Sequence, residues 1–367
     1  MSLRSERTKW VMFLPCSGAE AEIRHVLDLV FGVFCLERAG IQSQDIFIYI
    51  DSPDNNYDGF FGLASTHGYV SKSTSEFFSD MEANTYENLV MFVTGHGGPF
   101  GLDANPCISP NKLITSLKST PNLRNAVIYL GQCYAGTFNY VNAGKTRDEV
   151  LDIILVGATN LNQSLSTGTT EVFPNHSVPI PWVANVFLLF VFKWMSSPQD
   201  IDGDGVYTIM DSYKYAGVYS NESNKQSKTN GFVNVMDMLH DYIKARDILK
   251  DKVAAQAQAA TQAQAATQAQ AATQAQATTQ AQANAQAHID ADVNVGVNAV
   301  VVANEQDSTV EQVEVDSLVV AEAQADDIDD EVDLKAKEDL YLARLALHHV
   351  HQECWILNSR PAQLIQF

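Results

Sequence analysis

Leu89-Val90-Met91-Phe92-Val93-Thr94-Gly95-His96-Gly97-Gly98 and Ala126-Val127-Ile128-Tyr129-Leu130-Gly131-Gln132-Cys133-Tyr134-Ala135-Gly136 are the two stretches whose reading decides the fold. Each begins as an unbroken apolar run, the pattern of a strand buried on both faces of a parallel sheet. Each run stops at a turn of small residues, and each turn carries one chemically capable side chain, His96 or Cys133. In open parallel sheets, ligands gather beyond the carboxyl ends of the strands. A histidine and a cysteine delivered there from consecutive strands are the components of a thiolate–imidazole pair.

The flanking sequence supplies the rest of such a sheet. Val11–Leu14 reads as a first strand, and Ala21–Glu37 as a helix with Ile23, Leu27, Val30 and Phe34 at helical spacing, ended by Gly40. Asp45–Asp51 reads as a second strand, reached by a right-handed crossover. Residues 52–88 are polar and read as a loop excursion, 111–117 as a short helix, and 151–156 as a further strand. The apolar run Trp182–Trp194 predicts a buried helix.

Composition narrows the function. The chain has 367 residues and a net charge of −21, without a Lys/Arg cluster, which argues against nucleic acid. Much of that charge sits in a tail: 14 Asp/Glu lie between Asp290 and Asp333, and no Lys or Arg falls between Lys252 and Lys335. Five scattered cysteines without CxxC spacing suggest neither a disulfide framework nor a zinc site, and they fit a reducing, cytoplasmic setting. The apolar run after Arg4, Arg7 and Lys9 is too short for a signal peptide. No run approaches membrane-spanning length, so no membrane partner is expected.

Asp200-Ile201-Asp202-Gly203-Asp204-Gly205-Val206-Tyr207-Thr208-Ile209-Met210-Asp211 has the ligand spacing of an EF-hand-type calcium loop. Asp200, Asp202, Asp204 and Asp211 fall at positions 1, 3, 5 and 12, with Val206 at the backbone-carbonyl position. Asp at the last position reaches less far than Glu, and an Asp/Gly-rich turn without metal is the alternative. Ala254–Ala287 repeats Thr-Gln-Ala-Gln-Ala-Ala every six residues, a period that keeps no stripe on one helix face and reads as a helical or disordered spacer. The acidic stretch after it reads as disordered. Leu340, Ala343, Leu347, Val350, Cys354 and Leu357 then follow steps of three and four, predicting an amphipathic helix over 335–367 that needs a partner to pack on. The expected division is therefore 1–250, 251–334 and 335–367.

A thiol becomes a useful nucleophile when an imidazole takes its proton. Acyl transfer also needs donors for the developing oxyanion, and the backbone N–H groups of Gly97 and Cys133 are placed to supply them. The glycines around both residues let a peptide backbone approach.

At this point the sequence resembles the caspase-fold cysteine peptidases, and within them the legumain-type branch that includes the glycosylphosphatidylinositol transamidase subunit. The resemblance runs over roughly residues 9–195. It is carried by Trp10, Ile23-Arg24-His25, Glu37-Arg38-Ala39-Gly40-Ile41 and Asp45–Asp51. It continues through Phe92-Val93-Thr94-Gly95-His96-Gly97, Tyr129–Gly136 and Gly157-Ala158-Thr159-Asn160-Leu161-Asn162-Gln163-Ser164. It implies an α/β three-layer sandwich with a mainly parallel central sheet flanked by helices. It also implies His96 as general base, Cys133 as nucleophile, and a substrate contact from Arg24, for which a solvated arginine is the alternative. The chain departs from the branch at Glu22, where legumain has an Asn orienting the catalytic histidine; the Glu22 carboxylate is the candidate for that orienting role here. It departs again at Gly131 and near Pro181, where acids of the Asn-selective pocket are missing. Asparaginyl specificity is therefore not expected; where Arg24 lines the pocket, acidic P1 side chains are.

The resulting expectation is a cysteine endopeptidase acting on protein or peptide substrates through a Cys133–His96 dyad, with no cofactor needed for chemistry. Regulation by the tail, as in a zymogen, or by calcium at the 200–211 loop is part of that expectation. The alternative is a silent scaffold or sensor that binds a regulatory protein through its C-terminal helix.

Overall fold

The computed structural model describes residues 2–4, 6–143, 150–292, 329–346, 348 and 352–367. Most of the acidic spacer, and Leu347 and Val350 of the expected C-terminal helix, lie outside the described residues. The chain forms two compact units, one of Met1–Phe232 with Ala346–Phe367 and one of Val233–Leu345.

The first unit is built on a seven-stranded sheet in the order β11-β8-β7-β4-β1-β2-β3. These strands are β1 Thr8–Leu14, β2 Ile46–Ile50, β3 Ser71–Lys72, β4 Asn88–Val93, β7 Asn125–Leu130, β8 Asp152–Gly157 and β11 Trp355–Leu357. All neighbouring pairs are parallel except β8 with β11. Two small hairpins, β5 (Gly97–Gly98) with β6 (Gly101–Leu102) and β9 (Ser166–Glu171) with β10 (Ile180–Asn185), stand outside the sheet.

Side chains alternate cleanly between two cores, as strand geometry requires. Trp10, Met12, Val90, Phe92, Val127 and Tyr129 face helices α1 (Ile23–Arg38) and α4 (Val186–Ser196). Val11, Phe13, Leu89, Met91, Ile128 and Leu130 face α2 (Thr74–Glu82) and α3 (Pro110–Ser119). The result is an α/β three-layer arrangement: helices, a mostly parallel sheet, helices.

Three expectations are corrected. The excursion at 52–88 contains α2, started by a reciprocal capping box between Ser73 and Glu76. The run Trp182–Trp194 is not one helix: Ile180–Asn185 pairs antiparallel with β9, and the Asn185 side chain then accepts from Leu188 N–H, starting α4 only at Val186. Among the described residues, 352–357 are not helical. Trp355–Leu357 is the edge strand β11, and the Trp355 indole lies across Gly157, where an added Cβ would come within 2.2 Å of the ring. Ala362, Ile365 and Phe367 are buried, Phe367 edge-on to Trp10 at 5.9 Å.

Helix α5 spans Ile209–Asp292. In the repeat, Thr261, Thr267 and Thr273 each bond the carbonyl four residues back, while every side chain from 251 to 284 is exposed. The second unit pairs α5 residues with a helix over 329–346, where Tyr242 and Tyr341 stack at 6.2 Å. Among the described residues, no helix is long and apolar enough to cross a membrane.

Phe92 is fully buried among Tyr129, Trp10 and Phe192, with ring centroids at 5.3, 6.5 and 4.8 Å. Phe92→Ala is expected to cost about 3–5 kcal/mol in stability, read as a lowered urea midpoint; an unchanged midpoint would show that this core is not close-packed.

Candidate active site

The sheet places both key turns at one end. Thr94 N–H donates to Phe13 O at 3.0 Å and Gly131 N–H to Val93 O at 2.9 Å, so the ladder continues just past β1, β4 and β7 before the chains diverge. Gly95 has φ +103°, open to glycine, and an added Cβ there would meet Leu14 at 2.8 Å. Gly97 has a second constraint: a Cβ would lie 2.3 Å from the Cys133 carbonyl oxygen and 2.5 Å from Gln132 Cγ. The turn carrying His96 is thus pressed directly against the backbone carrying Cys133.

Cys133 is half-buried. Ser164 N–H donates to its sulfur at 3.4 Å, and the Ser164 hydroxyl lies 3.7 Å away. An amide aimed at sulfur stabilises negative charge there. Tyr134, the next residue, is left-handed at φ 55°, ψ 26°, a conformation that costs a non-glycine residue roughly 1 kcal/mol. It is held by Tyr134 N–H to Asn162 O at 2.8 Å and Gly136 N–H to Asn160 O at 3.0 Å. The loop after β8 therefore presents the cysteine and supplies the donor to its sulfur.

His96 is half-exposed, and its Nε2 lies 2.5 Å from Glu22 Oε1. Glu22 Oε2 accepts from Arg24 Nε at 2.5 Å, and Arg24 Nη1 reaches Ser166 Oγ at 3.3 Å. The Arg24 guanidinium, and then His96, pull the Glu22 carboxyl down to about 2 from 4.5. No hydrogen bond joins His96 to Cys133 among the described residues. With Nε2 held by Glu22, Nδ1 is the ring nitrogen left to exchange a proton.

Beneath these groups runs a buried chain of hydrogen bonds. His25 Nδ1 lies 3.1 Å from Thr94 Oγ1, and the Thr94 hydroxyl donates to Asp28 Oδ2 at 2.9 Å. Asp28 Oδ1 accepts from Trp182 Nε1 at 3.1 Å and from Asn185 N–H at 3.2 Å, and Asn185 Nδ2 donates to Gly131 O at 2.6 Å. One network thus spans from two residues before His96 to two residues before Cys133.

Of the residues expected from sequence, His96, Glu22 and Arg24 form one cluster, and Cys133 lies against Gly97. Sequence reading missed Ser164, His25 and Asp28 as contributors. Asp28 left a signal, a lone acid within Val26-Leu27-Asp28-Leu29-Val30 on a helix face that otherwise reads as core. Arg24 is ion-paired with Glu22.

In the 200–211 loop, ligand oxygens of Asp200, Asp202 and Asp204 lie within 4.8 Å of one another. Asp211 is not with them: fully buried, it accepts from Ile201 N–H, Thr208 N–H and Thr208 Oγ1, so it serves the start of α5. Asp202 already pairs with Lys214 at 2.7 Å, and Val206 N–H donates to Asp204. A second group, Glu22, His25 and His96, also offers ligand atoms within 4.8 Å of one another.

A hollow of about 480 Å³ is lined by Glu22 with Ile23 and Tyr57. Another of about 720 Å³ lies at the ends of β1 and β2, lined by Cys16, Asp51, Thr74 and Lys112 but by neither His96 nor Cys133. A peptide lying extended along a surface needs no enclosed cavity, so the side-chain geometry is the better guide.

No family model and no curated protein matches the sequence. Among solved structures, caspase-1 from Spodoptera frugiperda is similar at 11% identity and a TM-score of 0.34, covering 60% of this chain and 78% of that one. A secreted C11 cysteine protease from Bacteroides thetaiotaomicron, in complex with an irreversible peptide inhibitor, is similar at 9% identity and a TM-score of 0.30, covering 60% of this chain and 59% of that one. At such values the site has to stand on its own geometry.

A carboxyl held down to about 2 is charged over nearly the whole acid range. Because its folded value lies below its unfolded one, its ion pairing stabilises the fold above about pH 4.5 and is lost as pH falls toward 2. Carbon-detected NMR titration of Glu22 is expected to give a midpoint near 2, rising in Arg24→Ala; a midpoint at the ordinary 4.5 would show that the cluster does not form.

Proposed function

We propose that this chain is a caspase-fold cysteine endopeptidase in which Cys133 is the nucleophile and His96 the acid–base group. The observation that carries the reading is the packing of Gly97 on the Cys133 carbonyl, which couples two strand-end turns bearing an imidazole and a thiol. In this reading the Cys133 thiolate, stabilised by Ser164 N–H, attacks the scissile carbonyl. The amides of Cys133 and Gly97 receive the oxyanion, and His96 Nδ1 gives a proton to the leaving amine. Water then attacks the thioester carbonyl and gives one proton to His96; the C–S bond breaks, the acid product leaves, and the thiolate–imidazolium pair is restored. Glu22 holds the far side of the imidazole, so the ring keeps its orientation.

The legumain-type branch is the finer form of the proposal, supported by Arg24-His25 ahead of the Gly95-His96-Gly97 turn. Glu22 in place of Asn, and Gly131 in place of an acid, set this chain apart from it. A cytoplasmic location and a calcium ion on Asp200, Asp202 and Asp204 belong to the same reading. Of the face on which the scaffold alternative rests, Cys354 and Leu357 pack within the first unit: Cys354 Sγ contacts Ala158 O at 3.6 Å, and Leu357 pairs with Leu155.

Cys133→Ala is expected to lower peptide hydrolysis at least about a thousandfold with an unchanged circular dichroism spectrum, and to abolish labelling by a peptide acyloxymethyl ketone. Retained turnover would overturn the assignment. Calcium titration by calorimetry is expected to show one site that Asp200→Asn weakens; no heat of binding would remove calcium from the proposal.

A further inference from the structure

One nitrogen of the buried His25 takes no part in the peptidase reading. His25 is 4% exposed, and its Nδ1 faces Thr94 Oγ1 at 3.1 Å. The Thr94 hydroxyl spends its own proton on Asp28, so it can only accept from His25. The ring proton is therefore on Nδ1. That leaves the Nε2 lone pair buried, with no hydrogen-bond partner among the described residues. Native structures keep such an atom where something else engages it.

The neighbours indicate what that is. His25 and His96 meet edge to face at 5.3 Å, and ligand atoms of Glu22, His25 and His96 lie within 4.8 Å of one another. Two imidazole nitrogens and one carboxylate oxygen are the donor set of a zinc-type ion with an open fourth position, whereas calcium and magnesium take oxygen. Partners behind the donors are also in place. Thr94 and Asp28 fix the His25 tautomer, and Arg24 holds Glu22 Oε2 at 2.5 Å, leaving Oε1 to ligate.

We propose that Glu22, His25 and His96 form a site for a zinc-class divalent transition-metal ion, and that metal bound there silences His96. The silencing rests on the peptidase reading; the binding does not. The ion takes the place of the hydrogen bond between His96 Nε2 and Glu22 Oε1, which stand 2.5 Å apart, and any proton on Nε2 is released to solvent. Donors around a tetrahedral zinc ion are about 3.3 Å apart, from bonds of about 2.0–2.1 Å. This pair therefore opens while His25 Nε2 completes the set. Glu22, whose side chain is 48% exposed, has the freedom to make that adjustment. With metal on Nε2, neutral His96 carries its one proton on Nδ1 and can accept no other there. Cys133 is outside the set, its sulfur engaged by Ser164.

Cobalt(II) is the probe, titrated into the full chain carrying Cys133→Ala with excess calcium present to occupy oxygen-only sites. One equivalent is expected to give a visible ligand-field band without a thiolate charge-transfer band. Glu22→Gln and His25→Gln, each checked for folding by circular dichroism, are each expected to weaken binding at least about tenfold. Zinc at one equivalent should suppress peptide hydrolysis by the unmodified chain at least tenfold, and EDTA should restore it. Absence of the band, or affinity unchanged in both variants, overturns the site. Hydrolysis indifferent to zinc overturns the silencing and leaves the peptidase standing. A chain that binds cobalt yet never cleaves peptide when metal-free supports the site and overturns the peptidase instead.

Discussion

Asp28 accepts hydrogen bonds from Thr94, Trp182 and Asn185 while buried at 3% exposure, and the architecture around the two turns follows from that one group. An acid taken out of water costs several kcal/mol unless its oxygens are satisfied. Satisfying Asp28 requires α1, the end of β4 and the end of β10 to meet in one arrangement. Asn185, once placed, turns its own amide to the Gly131 carbonyl and its own oxygen to the first turn of α4. The relative position of the His96 and Cys133 turns is therefore set by hydrogen bonds that touch neither residue. A scaffold organised this way tolerates change at the surface of the site more readily than beneath it.

The parts of the fold legible in the sequence are those where burial on both faces leaves a continuous apolar run. The strands ending at His96 and Cys133 read correctly for that reason. So does the first strand–helix–strand unit, which places Glu22 and Arg24. The capping box at Ser73 and Glu76 was also legible, but it lay inside a stretch whose polarity suggested a loop. Other features exist only in three dimensions. Trp355–Leu357 has spacing that suits a helix, and nothing local reveals that Gly157 leaves a slot for the Trp355 indole. Ser164 acquires its role from a loop that folds back over Cys133, and the trio of Glu22, His25 and His96 from the turn of α1 toward β4.

The calcium-type loop separates spacing from geometry. Four aspartates fall at ligand positions, yet Asp211 accepts from Thr208 N–H at the start of α5 and from Ile201 N–H within the loop. A helix start and a metal loop compete for the same side chain, and the pattern of letters cannot show which prevails. Asp200 tells a similar story: it accepts from Gly203 and Gly205 N–H at 2.7 Å each, so the loop has its turn before any ion arrives.

The edge strand β11 has a consequence for the order in which the molecule comes into being. Gly157 and Trp355 are in contact, yet about two hundred residues separate them along the chain, including all of Val233–Leu345. At roughly 5–20 residues per second, the ribosome needs about 10–40 s to make that interval. For that time the outer edge of β8 has no partner and its backbone groups face water. Until Phe367 emerges, Trp10 and Trp194 also lack the ring that closes over them. The nascent sheet is thus a half-finished template during translation, and completion of the first unit is timed by synthesis of its last strand.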